Sequence, residues 1–400
     1  MFKHKYLKYK IKYLDFKNSN LKGGGQPIEH TPTQILREKI LADMSNKGMN
    51  LSKAPKHLQN DKEIVLAAVK NDGRALEYAS ETLRDDKELV KAAVTNKDVP
   101  MGVYYGRDLE MTIDYFDYKI ALQFASETLR DDEELVKAAV ETDGNALQYA
   151  SEGLQNNKEI VKAAVTNSKS LSYDYTPLQF ASKELQNNKE IVKAAVETDG
   201  IALEYASDEL KNNEEIVLAA VNKHGFALQF ASEELQNNKE IVLIAVGKFG
   251  ETLEHASDEL KNDKEIVLTA VSDKNGTEIS PLEYASEELQ NDEEIVLTAI
   301  KNFNHPNRNH DDYSPLQFAS KELQNNKEIV KAAVEKKALA LKYASKELQN
   351  DELIVFTAVN KNSSTINYAS EELKKFVEKL NNPTNELIKY IRNLWYIKYK

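Results

Sequence analysis

Few residues of this 400-residue chain are placed to do chemistry, and most of those recur at a common offset. Glutamates from Glu63 through Glu328 form a carboxylate series. Carboxylates serve in acid–base catalysis, but each of these stands just inside a predicted helix start. Capping of free backbone N–H groups and the helix dipole account for them there. His305, His310, Asp311 and Asp312 make a donor set for a divalent cation. They sit on a polar stretch with Asn and Pro and read as solvated, so no metal is assigned. His255 stands where other copies carry Tyr or Phe and reads as a packed variant. With no cysteine, disulfides and thiolate ligands are excluded, and a reducing compartment is the natural reading. No P-loop, dinucleotide fingerprint or nucleophile–base pairing is found. The expectation is a protein without catalytic residues or cofactors, and not an enzyme.

What positions these residues is a repeat. The string LEYASETLRDDKELVKAAV from Leu76 returns at Leu122, Leu147, Leu178, Leu203, Leu228, Leu253, Leu282, Leu316 and Leu341. An opening copy starts at Leu51 and a closing one at Ile366, which makes twelve. Seven of the eleven spacings are 25 residues, and the others are longer by 21, 6, 4 and 9. An alanine recurs from Ala54 to Ala369, and a leucine four positions on from Leu58 to Leu373. Leu76, Ala79 and Leu83, then Leu89, Val90, Ala93 and Val94, fall at helical spacing. Asp85 before Glu88 predicts a capping box, and Gly73, Gly144, Gly200, Gly225 and Gly250 share the register of a C-terminal glycine stop. Two short helices per repeat follow, each too short to stand alone in water. The expected fold class is all-α, an α-solenoid of about twelve two-helix repeats.

The four insertions fall between the second helix of one copy and the first of the next, and so project from one edge. Three end in Thr176-Pro177, Ser280-Pro281 and Ser314-Pro315, an N-cap followed by proline at the first helical position. Residues 1–22 read as a basic amphipathic leader helix, 23–34 as a hinge around Gly23-Gly24-Gly25, 35–380 as the array, and 381–400 as a capping helix with a basic aromatic tail.

The recurring ASxEL-[QR]-[ND]-[ND]-x-E-[IL]-V-x-x-A-V string resembles a repeat family of unknown function, abundant in mimivirus-like giant viruses. The opening KHKYLKYKIKYLDFK is similar to the KYLKYKxKYL leader of many mimivirus proteins. The resemblance covers about residues 51–380. It implies a helical repeat and a viral origin, in the host cytoplasm or the virion, and supplies no catalytic residues. Lys53 and Pro55 in the first copy and Lys379 in the last depart from the pattern, as capping units do.

The net charge of −12 is uneven. Residues 1–22 hold seven lysines against Asp15, a balance of +6, which leaves −18 on the remaining 378. Phe2, Tyr6, Tyr9, Tyr13 and Phe16 make a heptad seam, with Lys3, Lys5, Lys8 and Lys12 around it. Such a helix suits an anionic membrane, nucleic acid or an acidic partner; the alternative is docking on the chain's own acidic body. In the largest insertion Tyr104, Tyr105, Tyr115, Phe116 and Tyr118 are mixed with aspartates, as in protein-recognition loops. No apolar run reaches the roughly 20 residues of a membrane span, and the leader does not read as a secretory signal. The reading is a non-enzymatic scaffold whose acidic surface and edge loops bind a protein, with the basic leader as the alternative, an anchor to membrane or nucleic acid. A small-molecule substrate is not expected.

Overall fold

Each repeat centres on a run such as Glu214–Lys223 or Lys239–Lys248, where buried residues recur one, four and five positions apart. That places Ile216, Val217, Ala220 and Val221, all fully buried, on one stripe of an α-helix. The computed structural model describes residues 32–96, 120–167, 176–273, 279–303 and 313–378, and among these there is helix, 3-10 turn and connecting chain but no strand. The chain divides into two compact units, Met1–Ser207 and Asp208–Lys400, and each is an α-solenoid of repeats.

In the first unit the long helices Pro32–Asn46, Lys62–Asn71, Lys87–Val94, Glu133–Thr142, Lys158–Thr166 and Lys189–Thr198 each pack on the next. In the second, Glu214–Lys223, Lys239–Lys248, Lys264–Val271, Glu293–Asn302, Lys327–Lys336 and Glu352–Lys361 do the same. Burying one Ile, Leu or Val side chain contributes about 1.5–3 kcal/mol. The eleven copies from Leu51 to Leu341 bury comparable sets, so the stack stays stable although a single helix of this length would not.

The other expected helix is not continuous. The stretch around Leu76–Leu83 is a 3-10 turn, Gly73–Tyr78, then extended backbone at Ala79 and Ser80, then a single α-turn, Glu81–Arg84. The break is stabilised by the preceding copy, because the Ser80 amide donates to the Gln59 carbonyl at 3.0 Å. The same bond recurs from Ser151 to Arg130 and from Ser257 to Gln236. A glutamine serves the carbonyls that the 3-10 turn leaves over: the Gln186 amide donates to the Leu178 carbonyl at 3.0 Å, and Gln349 to Leu341 at 3.1 Å.

The capping and glycine expectations both shift. The N-cap is Asp86, which accepts from the Leu89 amide at 3.1 Å, so Glu88 sits one position too early for a capping box. Asp85 instead accepts from the Ser126 hydroxyl of the following copy. Nor do the glycines end helices in a left-handed cap. Gly73 opens a 3-10 turn, and a Cβ there would lie 2.3 Å from the Ala93 carbonyl oxygen. The distances are 2.2 Å at Gly144, to Ala164, and 2.3 Å at Gly250, to Ala270. Glycine is needed because the helix of the following copy crosses there, backbone against backbone. Pro177, Pro281 and Pro315 do occupy first helical positions, of 3-10 turns.

Candidate interaction surface

Two ladders knit the copies of each unit and define the outward face. In the first, a serine hydroxyl donates to the Asn or Asp before the N-cap of the preceding copy: Ser80 to Asn60 at 2.6 Å, and likewise Ser151 to Asp131 and Ser257 to Asn237. In most copies, though not at Ser80, the same oxygen accepts from the amide three residues on, as Ser257 does from Leu260 at 3.2 Å. The Ala-Ser pair, present in every copy but the first, was a visible signal for this ladder, but its partner lies one repeat away.

The second ladder is ionic. Lysine at the first position of a long helix pairs with the N-cap and second-position carboxylates of the next. Lys87 reaches Asp132 at 2.7 Å and Glu134 at 3.2 Å; Lys239 reaches Asp263 at 2.7 Å and Glu265 at 2.9 Å. Arg37 of the opening helix does the same with Asp61 and Glu63. Lys87, together with the Leu135 amide, holds the Asp132 carboxyl below its usual range, and Lys158 with Lys162 brings Glu190 down to about 2. These pairs are largely exposed, so they contribute less to stability than to register. The glutamates of the carboxylate series thus stand in the first turn of the long helices, where Asp or Asn supplies the cap, and several of them pair with a lysine of the preceding copy.

The fifth residue of each long helix lies in the middle of this face. In the first unit Leu66 is followed by Lys91, Lys137, Lys162 and Lys193. Lys91 and Lys162 each bridge at 2.6 Å to the next copy's glutamate, Glu134 and Glu190. In the second unit the same position holds Leu218, Leu243, Leu268 and Leu297, all half-buried, then Lys331 and Phe356. Phe356 is fully buried, and the ring of Phe376, from the helix Glu371–Glu378, meets it with centroids 5.7 Å apart. In the first unit a shallow groove runs between the helices Pro32–Asn46 and Lys62–Asn71, lined by Leu41, Ser45, Leu66 and Ala67. This row was missed in reading the sequence. Its signal was the change from VK to VL at one offset.

Among the described residues no group of His, Asp and Glu is placed to hold a metal ion, and no helix is long and apolar enough to cross a membrane. His255 is half-buried in the aromatic position, and desolvation lowers its pKa. Burial pushes the Tyr284 hydroxyl up to about 12. Tyr313 packs on Phe303 and Phe318, and its hydroxyl accepts from the Ser280 amide at 2.9 Å. The leader residues Lys3, Lys5, Tyr6, Lys8, Tyr9, Lys12 and Tyr13 lie outside the described residues. So do the loop residues Tyr104, Tyr105, Tyr115, Phe116 and Tyr118, and His305, His310, Asp311 and Asp312.

A family model described as "Domain of unknown function (DUF4116)" matches the chain in eleven segments, most of them overlapping, from residues 37–84 to residues 326–374. No curated protein and no solved structure matches.

Proposed function

The chain belongs to the DUF4116 family, and we propose that it is a non-enzymatic scaffold that binds another protein along the outward face of its long helices. One observation carries this reading. The same helix positions face outward copy after copy, held in register by the serine and ionic ladders, and they differ between the two units in what they display. Extended repeat surfaces of this kind recognise macromolecules, since each copy adds one row of contacts. The charge of −18 on residues 23–400 supports a basic partner. The resemblance of the repeats and leader to giant-virus proteins supports action in the infected host cytoplasm or in the particle.

The test is capture of partners from infected cells by the full-length chain and by a chain lacking residues 1–25, followed by cross-linking. A protein retained by both, and cross-linked to the long helices, is expected. Capture that is lost with the leader, or that yields only lipid or nucleic acid, overturns the scaffold reading and assigns the binding to the leader.

A further inference from the structure

Resting on the scaffold reading, we infer that Leu218, Leu243, Leu268 and Leu297 form a docking row for a basic amphipathic helix of a partner protein. The four leucines lie at one position of four consecutive long helices of the second unit, each helix packed on the next. None of the four is fully buried. In the first unit lysine holds most of this row, and Lys91 and Lys162 close onto the glutamate of the next copy. Leucine makes no such bridge, and leaves an apolar strip beside the glutamates.

Charge and shape specify the occupant. One flank carries Glu215, Glu240, Glu265 and Glu294, all exposed. Glu265 and Glu294 also pair with Lys239 and Lys264, but with Glu214, Asp263, Asp292 and Glu293 beside them the flank stays net acidic, which favours lysine or arginine on the helix that lies there. The other flank carries Asn222, Gly247, Ser272 and Lys301, and it is lowest at Gly247, where a Cβ would meet nothing within 4 Å. A helix can settle toward that side while its basic edge faces the glutamates. Spacing agrees as well. Packed helices lie about 8–10 Å apart, and residues seven apart on an α-helix are separated by about 10.5 Å. A heptad seam laid across the stack therefore offers one apolar residue to each leucine. The molecule already uses this contact once: Phe376, on a helix of the chain itself, meets the residue of the same row at Phe356.

The probe is a synthetic helix of about three heptads, with leucine at the first and fourth positions and lysine on one flank. Its binding to the full chain is followed by fluorescence anisotropy. The lysine helix should bind, and a glutamate version and a scrambled version should not. Leu243→Gln with Leu268→Gln should weaken binding about tenfold or more, as loss of two central apolar anchors does, with an unchanged melting curve. Lys137→Gln with Lys162→Gln should leave it within about twofold. Equal binding of the scrambled peptide, or binding unaffected by the leucine pair, overturns the proposal. So does binding that emerges only after removal of residues 1–25 or 379–400, which would assign the row to the chain's own termini. A captured protein still retained by the Leu243→Gln, Leu268→Gln chain would sink this row and leave the scaffold standing. Capture of no protein at all, with peptide binding intact, would sink the scaffold instead.

Discussion

The two units carry nearly the same buried residues beneath different outward rows. Ile191, Val192, Ala195 and Val196 of the first unit are matched by Ile241, Val242, Ala245 and Val246 of the second, all buried to within a few per cent. Above them, Lys162 of the first unit bridges to Glu190, whereas Leu268 of the second stands beside glutamates without such a bond. The two halves of this residue set obey different constraints. A buried position must fill a fixed volume between neighbouring helices, while an outward position must only keep the helix soluble and in register. A repeat array can therefore vary what it displays without changing how it stacks, and the difference between the units is where binding specificity would reside.

The largest effect should fall on what the units share. Leu185→Ala in the first unit and Leu235→Ala in the second, at 5% and 7% exposure, should each cost about 2–5 kcal/mol in denaturant unfolding. Unequal costs would show that the two cores differ and would break the comparison at its base. Next come the close crossings. Gly144→Ala and Gly250→Ala would bring a Cβ within 2.2 Å and 2.3 Å of a carbonyl oxygen, and should each cost about 1–3 kcal/mol. Gly247→Ala, open at that point and inside a helix, should instead stabilise by about 0.5–1 kcal/mol.

A smaller effect tests the serine ladder. Ser257→Ala, which loses the cap of Leu260 and the bond to Asn237, should cost about 1 kcal/mol. Ser151→Ala should cost somewhat more, because its acceptor Asp131 is charged. Equal losses would mean that the acceptor's charge is fully screened.

Smallest is the effect of exchanging the outward rows. Lys162→Leu and Leu268→Lys should each change stability by no more than about 0.5 kcal/mol. The exchange should show in acid. Lys158 and Lys162 hold Glu190 at about 2, so the stability it adds is present above its unfolded pKa, about 4.3, and is lost as pH falls through about 2. Lys162→Leu should reduce this acid-dependent loss in melting temperature, and raised salt should mimic it. An unchanged acid profile would show that the bridge is not populated in solution.

Leu76, Leu83, Val90, Ala93 and their equivalents were legible in the sequence as core, because helical spacing repeated twelve times leaves one way to bury them. The all-α solenoid follows from that pattern alone. The break at Ala79, the displacement of the N-cap from Asp85 to Asp86, and the use of Gly73 for a close crossing were decided by the tertiary structure. The physical reason is common to all three. The Ser80 amide finds its acceptor at Gln59, Asp85 finds its donor at Ser126, and Gly73 meets Ala93, each in a neighbouring copy. A local pattern shows which backbone and side-chain groups a repeat leaves over, but only stacking shows which neighbour takes them. The leucine row was likewise written in the sequence, as VL in place of VK. That it faces outward, beside glutamates, became visible only when the copies were packed.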